Sequence, residues 1–96
     1  MFQVISGPQA RELIEQGAQL LDVRSPQEYQ QTGLPGAVNI PVDQLSQRAA
    51  QELDPGKPVV CYCLSGGRAG QAHALLKNLG FQDVYNLGSF QNYHAA

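Results

Sequence analysis

The 96 residues are 43% apolar and carry six Lys and Arg against eight Asp and Glu, a formal charge of −2, which fits one domain over 1–96. That balance excludes the basic footprint of a nucleic-acid binder or of a protein held on an anionic membrane surface, and no stretch nears the roughly 18 apolar residues that span a bilayer. The N-terminus has no basic segment leading into a long apolar run, so a cytoplasmic protein is expected, periplasmic only if a leader has been removed.

Ser6, Pro8 and Gln9 read as a helix start, Ala10, Leu13 and Ile14 as its inward stripe and Gly17 as its stop. "AQLLDVR" is a short apolar run ending at Asp22 and Arg24, and "SPQE" is a capping box with Ser25 at the N-cap, Pro26 at N1 and Glu28 at N3. A buried strand therefore feeds a short helix carrying Tyr29. "TGLPGAVNIP" is turn-rich, then extended from Ala37 to Ile40; Asp43 is expected to cap a helix that turns Leu45, Ala49 and Leu53 inward, and "DPGKP" breaks it.

"VVCYC", between Pro58 and a glycine-rich loop, reads as a fully buried strand of a parallel sheet. From Arg68 onward, Ala72, Leu75, Leu76 and Leu79 trace a helical stripe closed by Gly80. "FQDVYNL" supplies a last strand and "GSFQNYHAA" a terminal turn or short helix. Helices alternating with strands imply an α/β fold with parallel strands, and the loop at 64–67 falls at the C-terminal edge of the sheet, where open α/β folds bind ligands.

Three chemistries compete for "CYCLSGGRAG". A nucleotide cradle fails, because Arg68 and Ala69 stand where a P-loop needs Lys and Ser or Thr, and the glycines at 66, 67 and 70 miss the dinucleotide spacing. A metal site would draw on Cys61, Cys63, His73 and His94, but a lone C-x-C with distant histidines lacks the paired spacing of zinc ligands. A redox pair needs a bridge between strand residues two apart, which geometry opposes, so free thiols in a reducing compartment fit better. No metal or cofactor is called for.

The remaining chemistry is a single reactive thiol. Cys61 reads as a small core residue. Cys63 ends the strand beside a ring of amides, a guanidinium and a helix N-terminus, each of which favours a thiolate over a thiol. Ser65 can donate a further hydrogen bond. Arg68 either anchors the loop by pairing with Asp22 or Glu28 or faces a substrate anion. Arg24 reads first as scaffold, Tyr29 as packing, and His73 and His94 as incidental.

At this point "YCLSGGRAGQAHALLKNLGF" resembles the active-site loop and following helix of the single-domain rhodaneses, thiosulfate sulfurtransferases whose pattern is Cys, any residue, Ser-Gly, any residue, Arg. "LLDVRSPQEYQQTGLPGAVNIP" and "GFQDVYNLGSF" resemble the family's other hallmarks, in the right order along the chain. The resemblance implies a central, mostly parallel five-stranded sheet with helices on both faces. It also implies that Cys63 takes a sulfane sulfur from thiosulfate or a persulfide and passes it to cyanide or a thiol. The backbone of Leu64, Ser65, Gly66, Gly67 and Arg68 would cradle the sulfur, with Asp22, Arg24 and Glu28 in support. Related cell-cycle phosphatases and some arsenate reductases have a loop one residue longer; only four residues separate Cys63 from Arg68 here, which suits sulfur better than phosphate.

The chain departs from the family pattern in several places. The usual histidine is absent from Thr32-Gly33-Leu34-Pro35-Gly36, Leu64 follows the nucleophile where a polar or basic residue is frequent, and Gly88-Ser89 with Tyr93 replaces Gly-Gly and Trp. Leu64 opens a second reading, a persulfide carrier or binding module that serves a partner sulfur-relay protein and works weakly on small donors.

Overall fold

The computed structural model describes residues 4–95. Strands β1 (Gln19–Asp22), β2 (Val38–Asn39), β3 (Val59–Cys63) and β4 (Val84–Ser89) form one sheet in the order β2-β1-β3-β4, and every pairing is parallel. Among the described residues the sheet thus has four strands, where five were expected. Beyond β4, Val4 makes a parallel bridge to Asn86, the one pairing among the described residues on that edge.

Strand alternation sorts the core onto two faces. Leu21, Val59, Cys61, Cys63 and Val84 pack with Leu45 and Ala49 of α3 (Leu45–Glu52) and with Ala69, Ala72 and Leu76 of α4 (Gly67–Asn78). Leu20, Val60, Tyr62 and Leu87 face the other way, toward Ala10 and Leu13 of α1 (Gly7–Glu15) and Tyr29 of α2 (Pro26–Thr32). Helices therefore cover both faces. Burying each large aliphatic side chain is worth roughly 1.5–3 kcal/mol, so β3, buried at all five positions, is the rigid base on which the loop after it stands.

Helix starts follow the sequence closely. Ser6 and Ser25 each accept the N3 amide while the N3 side chain returns to the cap amide, a complete capping box in α1 and in α2. The Asp43 expectation fails. Residues Val42–Gln44 form a 3₁₀ turn and run straight into α3, which has no side-chain cap; with the turn satisfying the first amides, α3 needs no carboxylate. The last strand also differs, beginning at Val84 and reaching Ser89. Phe81 is instead tucked under the end of α4, its amide donating to Leu76 O at 3.0 Å, and a 3₁₀ turn at Phe90–His94 follows β4.

The connections place the crevice. From β1 the chain crosses by α2 to β2 on one side, and from β3 by α4 to β4 on the other. The direction of winding thus reverses between β1 and β3, and the carboxyl ends of those two strands flank a topological switch point. No helix among the described residues is long and apolar enough to cross a membrane.

Candidate active site

Cys63 is the last residue of β3 and is fully buried. The amide of Gly66 donates to its Sγ at 2.8 Å, and α4 begins at the next residue, so the helix's first amides, which have no intrahelical acceptor, start beside the sulfur. Gly66 caps α4 in the left-handed region at φ +102°, which is what turns its amide back onto Sγ. An alanine there should cost about 1–2 kcal/mol in backbone strain. Gly67 has open space around its missing side chain, and Gly67→Ala should be neutral to stabilising by up to about 1 kcal/mol. Thermal unfolding of the two variants tests the contrast; equal melting temperatures would count against a conformational need at Gly66.

Cys61 points to the same face two residues earlier, also fully buried. Its thiol is 3.6 Å from Ala69 O and 3.5 Å from Tyr85 O, and burial pushes it up to about 12. That holds it in the protonated form, without nucleophilic character. Both cysteines are free thiols.

Arg68, in the first turn of α4, reaches across the switch point to Glu28 in the first turn of α2, with Nη1 and Nη2 at 2.7 and 3.0 Å from the two carboxylate oxygens. Of the two expected partners, Glu28 is the one engaged. The same carboxylate closes the α2 capping box through the Ser25 amide at 3.0 Å. The Arg68 guanidinium, and after it the Ser25 amide, hold the Glu28 carboxyl down at about 2 against an ordinary 4.5. A depressed folded value stabilises above the unfolded one and is lost as pH falls, so this pair should weaken between about pH 4.5 and 2. Because both side chains are about one-third exposed, the contribution is screened to roughly 1 kcal/mol or less. Urea unfolding across that window should show Glu28→Gln flattening the pH dependence while preserving stability at pH 2; an unchanged slope would sink the assignment.

Asp22 belongs to a different cluster. Its carboxylate takes the Arg24 amide at 2.8 Å, Arg24 Nη2 at 2.8 Å and the Tyr62 hydroxyl at 2.8 Å. Asp22, Arg24 and Tyr62 are all but completely buried, and burial pushes the Tyr62 phenol up. Arg24 also donates from Nη1 to Thr32 Oγ1 at 2.8 Å, and its guanidinium carbon lies 5.5 Å from the Tyr62 ring centroid and 4.7 Å from that of Phe90. The Tyr62 hydroxyl in turn accepts the Leu34 amide at 3.0 Å. Asp22 and Arg24 thus fasten the carboxyl end of β1 to β3 and to the turn after α2, while Glu28 and Arg68 fasten the loop itself.

Several partners were missed in the sequence. Tyr62 carried a signal: a tyrosine inside a wholly buried strand needs a partner for its hydroxyl. Thr32, Asn39 and Phe90 carried none, since they meet Arg24 only in the folded chain; Asn39 Nδ2 donates to Asp22 O and Arg24 O at 3.1 and 3.0 Å. Beside the thiol, β4 bulges so that Cys61 pairs with Asn86 but Tyr62 with Gly88 and Cys63 with Ser89. Gly88, at φ +80°, donates its amide to Asn86 Oδ1 at 2.7 Å, a device that re-aims backbone next to a site. Tyr29 packs as expected, its hydroxyl donating to Ala37 O at 2.9 Å. Tyr93 packs over the α1 face, where Arg11 donates to its carbonyl, and stands edge-on to His94 at 5.1 Å. The aromatic ring against the Arg24 cluster is therefore Phe90.

Comparison with known proteins gives a consistent answer. The rhodanese-like domain family matches residues 6–96. The uncharacterized protein YqhL of Bacillus subtilis is 43% identical over 77 residues, covering 79% of this chain and 60% of YqhL. The thiosulfate sulfurtransferase GlpE of Pseudomonas syringae is 37% identical over 91 residues, covering 94% of this chain and 85% of GlpE. The solved structure of the human single-domain sulfurtransferase TSTD1 matches with a TM-score of 0.76 at 33% identity, covering 94% of this chain and 93% of that one. With a parallel sheet, helices on both faces and a family match spanning almost every described residue, this chain belongs to the rhodanese family and is an enzyme of the sulfurtransferase class.

Proposed function

We propose that Cys63 carries the sulfur as a persulfide, loaded from thiosulfate or another sulfane donor and unloaded onto cyanide or a thiol. The observation that carries this reading is the pairing of Cys63 Sγ with the Gly66 amide at the helix start, while the only other thiol is locked in the core. Thiosulfate, the donor named for GlpE, is the reference donor for writing the steps. In the loading step a lone pair on Sγ attacks the outer sulfur of thiosulfate, the sulfur–sulfur bond breaks, and its electron pair leaves with sulfite. In the unloading step cyanide carbon attacks the outer sulfur, thiocyanate leaves and the thiolate returns.

The chain's own contribution is positional. Both the thiolate and the persulfide are anions, so the Gly66 amide and the amides at the start of α4 favour each of them over neutral forms. Cys63 is fully covered, with the short segment from Leu64 to Gly66 between it and the helix start. The Glu28–Arg68 bridge holds the loop in one position. Steady-state rates with thiosulfate and cyanide varied together should give parallel double-reciprocal lines, the pattern of two successive displacements; intersecting lines would overturn the covalent route.

A persulfide carrier that receives its sulfur from a partner relay protein is the second reading. Exposed Leu64 at the loop favours it. It predicts rapid loading from a protein persulfide together with negligible turnover on small donors.

A further inference from the structure

The cations of this chain are arranged in a way that bears on the donor. Six Lys and Arg are present, and three of them are neutralised by carboxylates: Arg24 by Asp22, Arg48 by Glu52 and Arg68 by Glu28. Lys57 precedes β3, at the end of the strand opposite Cys63. Lys77 lies in the last turn of α4 and donates to Gln82 O at 2.6 Å. Arg11 is turned onto the carbonyls of Tyr93 and Ala95. The loop therefore has one cation, Arg68, and both of its terminal nitrogens are spent on Glu28.

The surroundings add apolar surface and a negative charge. Leu64, the residue after the nucleophile, is one of the most exposed large apolar side chains among the described residues, at 49%. Against Arg68 runs an open groove of about 350 Å³ lined chiefly by Val23, Pro26, Pro41 and Val42, with Asp43 the carboxylate on its wall. Among the described residues, a dianion arriving at Cys63 meets backbone dipoles and an Arg68 already paired with Glu28 rather than an unpaired Lys or Arg. A donor with one charge less and an apolar body loses little electrostatic attraction and gains contact with Leu64.

We infer that the site selects sulfane donors of low charge that carry an apolar group, organic thiosulfonates and organic persulfides, over the thiosulfate dianion, and that Leu64 sets this preference. The inference rests on the persulfide reading of Cys63. The chemistry balances for either class. With an organic thiosulfonate, R–SO₂–S⁻, the Cys63 thiolate bonds to the terminal sulfur, the sulfur–sulfur bond breaks, and the sulfinate R–SO₂⁻ departs with the electron pair. With an organic persulfide, R–S–SH, the same attack leaves a Cys63 persulfide and R–S⁻. Neither transfer needs an outside oxidant or reductant.

Benzenethiosulfonate and thiosulfate make the paired probe, since each loses an oxidised sulfur group and they differ in a phenyl ring against a charged oxygen. Loading of Cys63 is read by intact mass during rapid mixing, at pH 8, where an ordinary imidazole is neutral, and at low salt. The unsubstituted protein should load from benzenethiosulfonate at least about tenfold faster, and Leu64→Lys should shrink that ratio by about tenfold, since one charge at close range in partly solvated surroundings is worth one to a few kcal/mol. The Leu64→Lys rate with thiosulfate should also fall as salt rises, while that of the unsubstituted protein stays nearly flat. Leu64→Gln, which removes the apolar contact without adding charge, should slow the thiosulfonate more than thiosulfate and so lower the ratio. Loading from both donors with thiosulfate equal or faster, or a ratio unmoved by Leu64→Lys, overturns the preference and leaves the persulfide standing. No sulfur on Cys63 from either donor overturns the persulfide reading and the preference with it.

Discussion

Cys63→Ser should lower sulfur transfer by at least about a thousandfold, because a serine hydroxyl is a far weaker nucleophile and a poor sulfur carrier. Cys61→Ser should keep the rate per folded molecule within a few-fold. Its cost falls on stability instead: a hydroxyl replaces a thiol in the core between Ala69 O and Tyr85 O, and an imperfectly bonded buried hydroxyl costs about 1–3 kcal/mol. The two variants are therefore separated by which property each one loses. Thiocyanate production from thiosulfate and cyanide, normalised to the folded fraction, checks this directly. Comparable rate losses in both would mean that the sulfur does not travel through one thiol.

The second large effect concerns Arg24. Removing the guanidinium while retaining Asp22 leaves a buried carboxylate facing only the Tyr62 hydroxyl, amides and apolar surface. Breaking one side of a buried pair in this way costs about 3–5 kcal/mol, a large share of the 5–15 kcal/mol typical of a whole domain. Arg24→Met should show that loss in urea unfolding, and Arg24→Lys should recover only part of it, because an ammonium cannot reproduce the fork on both carboxylate oxygens. A loss below about 1 kcal/mol in Arg24→Met would mean that the cluster is solvated and does not fasten β1 to its neighbours.

These effects follow from features that were unequally visible in the sequence. Local chemistry was legible: Ser6 with Gln9 and Ser25 with Glu28 announce two helix starts within four residues each, and Pro58 with the glycines at 66 and 67 brackets β3 and so places Cys63 at a strand end. Pairings across the fold were not. Arg68 had two carboxylates within plausible reach along the chain, and only the passage of α2 and α4 on opposite faces of the sheet decides for Glu28. The end of α4 shows the same limit at a boundary. Phe81 has the composition of a strand residue, but closing the core beneath Leu76 outweighs pairing, and the strand waits until Val84. The five-stranded expectation came from resemblance alone, and the single bridge at Val4 is all that the described residues place beyond β4.

Leu64 joins the local and the global. Its position was plain from the sequence, and its consequence depends on Arg68 being already paired, which only the fold supplies. With Leu64 exposed and Arg68 already paired, the proposed preference for an organic donor over a doubly charged one needs both features together.

A sulfur atom held on Cys63 is the central expectation. Incubation with excess sulfane donor, removal of the donor and intact-mass analysis with peptide mapping should find one added sulfur atom, on the peptide carrying Cys63. It should disappear on addition of cyanide, with thiocyanate released in equal amount. An unchanged mass after both thiosulfate and benzenethiosulfonate, or an added sulfur that maps to Cys61 and survives cyanide, would contradict it.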